Sequence, residues 1–184
     1  MIFDVKMEYL RRKARLVASG NMTEPPSTVA YAIVVSRETV SIALKLYALN
    51  YLRVKVAEIR NAYITAPVTD NIWTVLGQEF GEDAGRKAIV VRALYGLKSS
   101  GSVFWNHLAY CIHHLGLFPC PADLDLWMKP MVRPEDVFDY YAYVLIYAGD
   151  VMVIHHDVES VIWRIDKYFK LNPSSIGDPD IYLG

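Results

Sequence analysis

The sequence predicts an α+β fold in which helices lie on one face of a largely antiparallel sheet. Three observations predict it. Residues 138 to 147 and 150 to 155 read as two strongly apolar strands of one hairpin, with Gly149 and Asp150 at its tip. Residues 101 to 115 and the segment DVESVIWRIDKYFK space their apolar side chains at helical intervals. From Leu52 to Phe169 the elements run strand, helix, strand, strand, helix, which is the plan of a split βαβ unit.

The elements follow in order. RRKARLVA opens basic and turns into an apolar strand, and GNMTEPPST is a loop because Gly20, Pro25 and Pro26 exclude regular structure. Residues 37 to 51 place Val40, Leu44, Tyr47 and Tyr51 on one helical face, with Ile42, Leu46 and Leu49 beside it. LRVKVAEI alternates around Leu52, Val54 and Val56, a strand pattern that ends in RNAYITAP at Pro67. NIWTVLG and KAIVVRALYG are two further strands. In the helix at 101 to 115 the apolar stripe is Phe104, Leu108, Cys111, Ile112 and Leu115. PCPAD breaks the chain before a short strand, LDLWMKP. After the hairpin, Asp157 is the expected N-cap of a helix that turns Val158, Ile162, Ile165 and Phe169 inward. DIYLG is a last strand.

The totals bound the function. The chain has 184 residues, enough for one domain with or without an appendage, and at 53% hydrophobic and 21% charged residues it has material for a core. A net charge of -1 gives no global case for nucleic-acid binding, so any such case rests on a local patch. Two cysteines, Cys111 and Cys120, make no disulfide framework, and a reducing compartment is expected. The charges in MIFDVKMEYLRR do not suit a signal peptide, and no run approaches the roughly 20 apolar residues of a membrane span. An intracellular protein without a membrane partner is expected.

Two acids stand at strand ends, Glu58 after LRVKVA and Asp150 in the hairpin. In a split-βαβ sheet the first strand and the hairpin are neighbours, so these carboxylates can converge on a divalent cation, an arrangement suited to phosphoryl transfer. The plain alternative is a solvated turn acid. A zinc site from Cys111, His113, His114 and Cys120 fits no usual ligand spacing, so the cysteines read as buried thiols and the histidines, His155 and His156 included, as surface groups. Tyr63, Trp105 and Trp127 read as core, Lys13 and Arg15 as a solvated strand face, and YGLK as a turn at Gly96.

Six ordered motifs also carry a family likeness. KARLVASG (13–20), VAEIRNAYITAP (56–67), RALYGLKSSGSVFW (92–105), ADLDLW, YVLIYAGDVMVI (143–154) and the closing IYLG follow one another as in a single template. The chain resembles the reverse transcriptase domain of copia-type LTR retrotransposons, with L-Y-G-L-K as the most specific match. The resemblance implies one palm/fingers domain, with fingers-like parts at about 1–52 and 68–98 and the palm at about 53–67 and 99–184. It implies RNA-directed DNA synthesis from dNTPs on an RNA or DNA template-primer with two Mg²⁺ ions, in a cytoplasmic, virus-like-particle or nuclear setting. Glu58, Gly149 and Asp150 then take the positions of the three catalytic acids, and Ile59 offers its backbone carbonyl to a metal. Tyr63 takes the place of the steric gate, Lys13 and Arg15 face the triphosphate, and Tyr95, Gly96 and Lys98 line the nucleotide and template site.

The departures bear on activity. Glu58 stands where the family has Asp, and the extra methylene moves its oxygens by about an ångström, a misplacement that can cost on the order of a hundredfold in rate. Gly149 stands for the first Asp of Y-V-D-D and supplies no ligand. Ser99 stands for the usual Gln. Against the family the chain reads as a truncated or decayed copy without thumb or ribonuclease H, with weak or absent Mg²⁺ binding and an impaired polymerase. The rival readings are a non-catalytic nucleic-acid-binding remnant and a structural protein.

Overall fold

In the computed structural model the described residues are 2–6, 11–19, 34–68 and 70–179. The expected closing strand DIYLG and the whole GNMTEPPST loop lie outside them. Along the chain come β1 (Ile2–Lys6), β2 (Arg11–Arg15), α1 (Arg37–Leu49), β3 (Arg53–Glu58), α2 (Ala62–Thr65), β4 (Trp73–Val75), β5 (Lys87–Ile89), α3 (Ser100–His114), β6 (Phe118–Cys120), β7 (Asp123–Arg133), β8 (Phe138–Tyr147), β9 (Asp150–His155) and α4 (Val158–Tyr168). The fold is mixed α and β. Among the described residues no helix is long and apolar enough to cross a membrane. The chain divides into two compact units, one of Met1–Tyr31 with Tyr63–Phe104, the other of Ala32–Ala62 with Trp105–Gly184.

The first unit is built from two antiparallel ribbons, β1 with β2 and β4 with β5. A parallel bridge joins Val17 to Tyr95, and the Ala18 N–H donates to the Tyr95 carbonyl at 2.7 Å.

The second unit holds a five-stranded sheet of order β3-β9-β8-β7-β6 with antiparallel neighbours throughout. β3 and β8 both run antiparallel to the β9 between them and so are parallel to each other; the largely antiparallel sheet is as expected, but β6 and β7 intervene between α3 and β8 where one strand followed by another was expected. Residues 171–177 run along the outer side of β3 through antiparallel bridges at Ile59–Leu171 and Val56–Gly177. They occupy an edge that would otherwise present unpaired backbone groups.

The strands β8 and β9 explain why the sheet is covered on both faces. Val144, Leu145, Ile146, Val151, Met152, Val153 and Ile154 are all buried, so neither alternating set meets water. On one face Leu145, Met152 and Ile154 pack with Val40 and Ala43 of α1. On the other, α4 contacts β9 and β3, and its Val161 lines a small cavity with Val144, Val153, Leu115 and Leu117. Helices confined to one face were expected; an apolar run with no polar alternation requires cover on both.

The helical stripe of α3 is as read, with Phe104, Leu108, Cys111, Ile112 and Leu115 all buried, and so is that of α4, whose Asp157 accepts from the Ser160 N–H. In α1 the inward face differs. The helix stops at Asn50, so Tyr51 leaves its phase, takes φ 50° and is 85% exposed, while Ala43 completes the buried face. β7 is longer than LDLWMKP and continues through Pro130, which falls beyond Met128, the last residue facing β6. His155, expected at the surface, is buried, because it continues the inward face of β9. Its Nδ1 accepts the Asp157 N–H at 2.9 Å.

Two buried titratable groups set an acid response in this unit. Burial, and then the charge of Asp123, pushes Asp125 up to about 6, although the Trp105 indole N–H donates to it. Burial, and then His156, pushes His155 down to about 4. For Asp125 the native state binds the extra proton between the ordinary carboxyl range and about pH 6, so stability rises as pH falls through that window. For His155 the unfolded state binds it between about pH 6.5 and 4, so stability falls as pH falls. The two oppose each other. Asp125→Asn is expected to steepen the loss of thermal midpoint on acidification from pH 6.5 to 4, measured by circular dichroism melts at half-unit steps.

Candidate functional site

The site grows from one pairing. β3 ends at Glu58, β9 begins at Asp150, and the two residues are direct cross-strand partners. The Ile59 N–H donates to the Gly149 carbonyl at 2.8 Å, which makes Glu58 and Asp150 a pair without mutual backbone hydrogen bonds. In such a pair side chains approach most closely, with Cα atoms about 4.5 Å apart. The register therefore brings two acids together, as the strand-end reading expected.

The hairpin tip differs from that reading. Its two-residue loop is Ala148 and Gly149, and Asp150 already belongs to β9, paired with Tyr147. Ala148 carries the positive φ of the turn, 49°, a conformation that costs a non-glycine residue roughly 1 kcal/mol. Gly149 is not held there by a positive φ. A Cβ on it would lie 3.3 Å from the Cβ of Ala62, so a side chain at this position needs a shift of a few tenths of an ångström.

Burial, and secondly the negative charge of Glu58, raises the pKa of Asp150. Glu58 is held by a segment that sequence reasoning did not single out. Its backbone carbonyl accepts the Asn172 N–H at 2.8 Å, its side-chain Oε2 accepts from Asn172 Nδ2 at 3.0 Å, and its own N–H donates to Ser175 Oγ at 2.8 Å. Ser174 Oγ donates to Asn172 Oδ1 at 3.0 Å and so turns the amide toward Glu58. In the sequence NPSS announces a turn, and nothing local says that it closes against a strand more than a hundred residues away.

As a donor set this is two carboxylates, with one oxygen of Glu58 taken by an amide. Among the described residues no group of three or more His, Cys, Asp or Glu side chains is arranged to hold a metal ion. A hard divalent cation takes six or more oxygens, and a two-ion centre needs a carboxylate shared between the ions. Gly149 has none to give. The residues present do not fit a two-ion centre.

The expected substrate residues belong to the first unit. The Arg15 guanidinium lies 5.8 Å from the ring centre of Tyr95. The Tyr95 ring is 4.8 Å from that of Tyr63, which meets Phe104 edge-on at 5.8 Å. Tyr63 is thus part of an aromatic stack, and Arg15, Tyr63 and Tyr95 stand together. Lys98 is exposed, and Lys13 lies on β2 with its side chain outside the described residues. Gly96 has a structural reason of its own. Its φ is 90°, and a Cβ there would fall 2.2 Å from the Ala18 carbonyl oxygen. Only glycine allows residues 17 and 18 to dock on Tyr95.

No protein-family model matches the chain, and no curated protein matches it.

Two outcomes are expected. Glu58→Gln removes the second cause that raises Asp150, so the Asp150 carboxyl titration followed by carbon NMR shifts to lower pH. Gly96→Ala combines a forbidden φ with a backbone clash and is expected to lower stability by about 2 kcal/mol or more in urea titration.

Proposed function

We propose that the chain carries the palm and fingers of a copia-type reverse transcriptase, an RNA-directed DNA polymerase by descent whose catalytic centre has lost one of its acids. The observation that carries this reading is the Glu58–Asp150 pair beside the Ala148–Gly149 turn, at the strand ends where the family has its three carboxylates. The sheet order, with β9 between β3 and β8, and the ordered sequence motifs support it.

In the intact family centre, two Mg²⁺ ions favour ionisation of the primer 3′-hydroxyl and offset the charge of the departing pyrophosphate. Glu58 and Asp150 remain to hold a cation, Gly149 contributes nothing, and the Ile59 carbonyl is a further oxygen at the same strand end. The Glu58 carboxylate is also anchored by Asn172 and set about one methylene further from its strand than Asp. Two adjacent acids offset too little of the charge of two divalent ions, and synthesis is therefore impaired. By the resemblance, Tyr63 would lie under the sugar of the incoming dNTP, and Lys13, Arg15, Tyr95, Gly96 and Lys98 would contact its triphosphate or the template.

A second reading is favoured by a separate observation. The stack of Arg15, Tyr95 and Tyr63 survives although the acids have changed, which suits a remnant that binds a template-primer and performs no chemistry.

The test is primer extension with Mg²⁺ or Mn²⁺ by the natural chain and by Glu58→Asp with Gly149→Asp. The natural chain is expected to extend at least about a hundredfold more slowly than the double variant. Extension by the natural chain at the rate of the variant overturns the impairment. If neither extends while a salt-sensitive affinity for primer–template remains, the non-catalytic remnant is the better account.

A further inference from the structure

We propose that the outward faces of α3 and α4 form a docking strip for single-stranded nucleic acid. It uses none of the residues assigned above to the acid pair or to the Arg15 stack.

The strip is aromatic and exposed. Tyr110 of α3 is 72% exposed, and Trp163 and Tyr168 of α4 are 59% and 51% exposed. Three rings, Tyr110, His114 and Tyr168, meet across the two helices. Tyr110 and His114, one turn apart, stack at 6.3 Å with planes 16° apart, and His114 meets Tyr168 at 6.1 Å, edge to face. On α4 the Lys167 ammonium lies 3.5 Å over the Trp163 ring. Rings of this size left in water on two adjacent helices offer flat faces at which bases can stack, and they were not used in building the core.

The charge decides the occupant. α3 contains no acidic residue, and α4 contains two, Glu159 and Asp166. Glu159 is held by Arg53 at 2.6 Å and by Lys55 at 3.5 Å, and Asp166 accepts the Leu171 N–H at 2.9 Å. Lys167 lies over the Trp163 ring, Arg164 and Lys170 are exposed on α4 and just after it, and among the described residues none of the three forms an ion pair. Protein interfaces are depleted in lysine at their centres. Cations between exposed rings instead suit a chain of phosphates with a base on each, where the cations track the backbone and the rings stack the bases. The chain's net charge of -1 makes this a local property of two helices, which the totals conceal.

The test is fluorescence anisotropy of fluorescein-labelled 15-mers of dT and of U with the full chain at several salt concentrations, with sedimentation velocity on the same samples. The natural chain is expected to bind one or both oligomers. Tyr110→Ala with Tyr168→Ala is expected to weaken binding about tenfold or more at an unchanged melting temperature. Arg164→Glu with Lys167→Glu is expected to reduce the slope of log affinity against log salt by about 1.4. Absence of binding by the natural chain overturns the proposal. So does binding that the α3–α4 variants leave intact while Arg15→Ala abolishes it, a result that assigns it to the first unit. Self-association that Tyr168→Ala dissolves, without oligomer binding, overturns it in favour of a second copy of the chain.

Discussion

The structure of the second unit depends on the register of β9. This strand lies between β3 and β8, pairs with both, and is buried on both faces along Val151, Met152, Val153 and Ile154. A slip by one residue would exchange its two faces, sending Met152 and Ile154 away from α1 and the Val151 and Val153 side chains toward it. The same register sets Asp150 opposite Glu58. Packing and acid pairing are therefore one constraint. The hydrophobic effect that fixes the hairpin also brings two like charges together at its end, and half-burial holds them there with the pKa of Asp150 raised.

That arrangement is costly to a fold unless something makes use of it. Asp150 opens β9, and Ala148 accepts a positive φ in the turn before it. Asn172, Ser174 and Ser175 are spent on holding Glu58. On the proposed reading such a cluster suits a site once built around a cation, with Gly149 in the place of a lost ligand. The Cβ contact to Ala62 at 3.3 Å is close enough that an acid returned to Gly149 would have to move a neighbour slightly.

How much was legible in the sequence follows from where each signal is local. The stripes of α3 and α4, the bounds of the β8–β9 hairpin and the Asp157 cap were readable because each rests on residues close in sequence. The convergence of Glu58 and Asp150 was readable because one topology rule makes their strands neighbours. Ala43 was missed in favour of Tyr51 because a periodic pattern does not show where the helix stops. The length of β7 was missed because Pro130 reads as a break until the adjoining β6 is known to end first. Asn172 as an anchor for Glu58, His155 as a buried ring, and the Trp105–Asp125 contact all depend on partners distant in sequence, which no local pattern encodes.

On the proposed reading, Gly149 stands where a ligand has been lost beside the Glu58–Asp150 pair. Electron paramagnetic resonance of free Mn²⁺ titrated into the natural chain and into Gly149→Asp tests it most directly, since it needs neither template nor turnover. The account predicts that the variant binds Mn²⁺ about tenfold or more tightly than the natural chain, and that adding Asp150→Asn removes the gain. Equal affinity in the natural chain and the variant, with both folded, would contradict it.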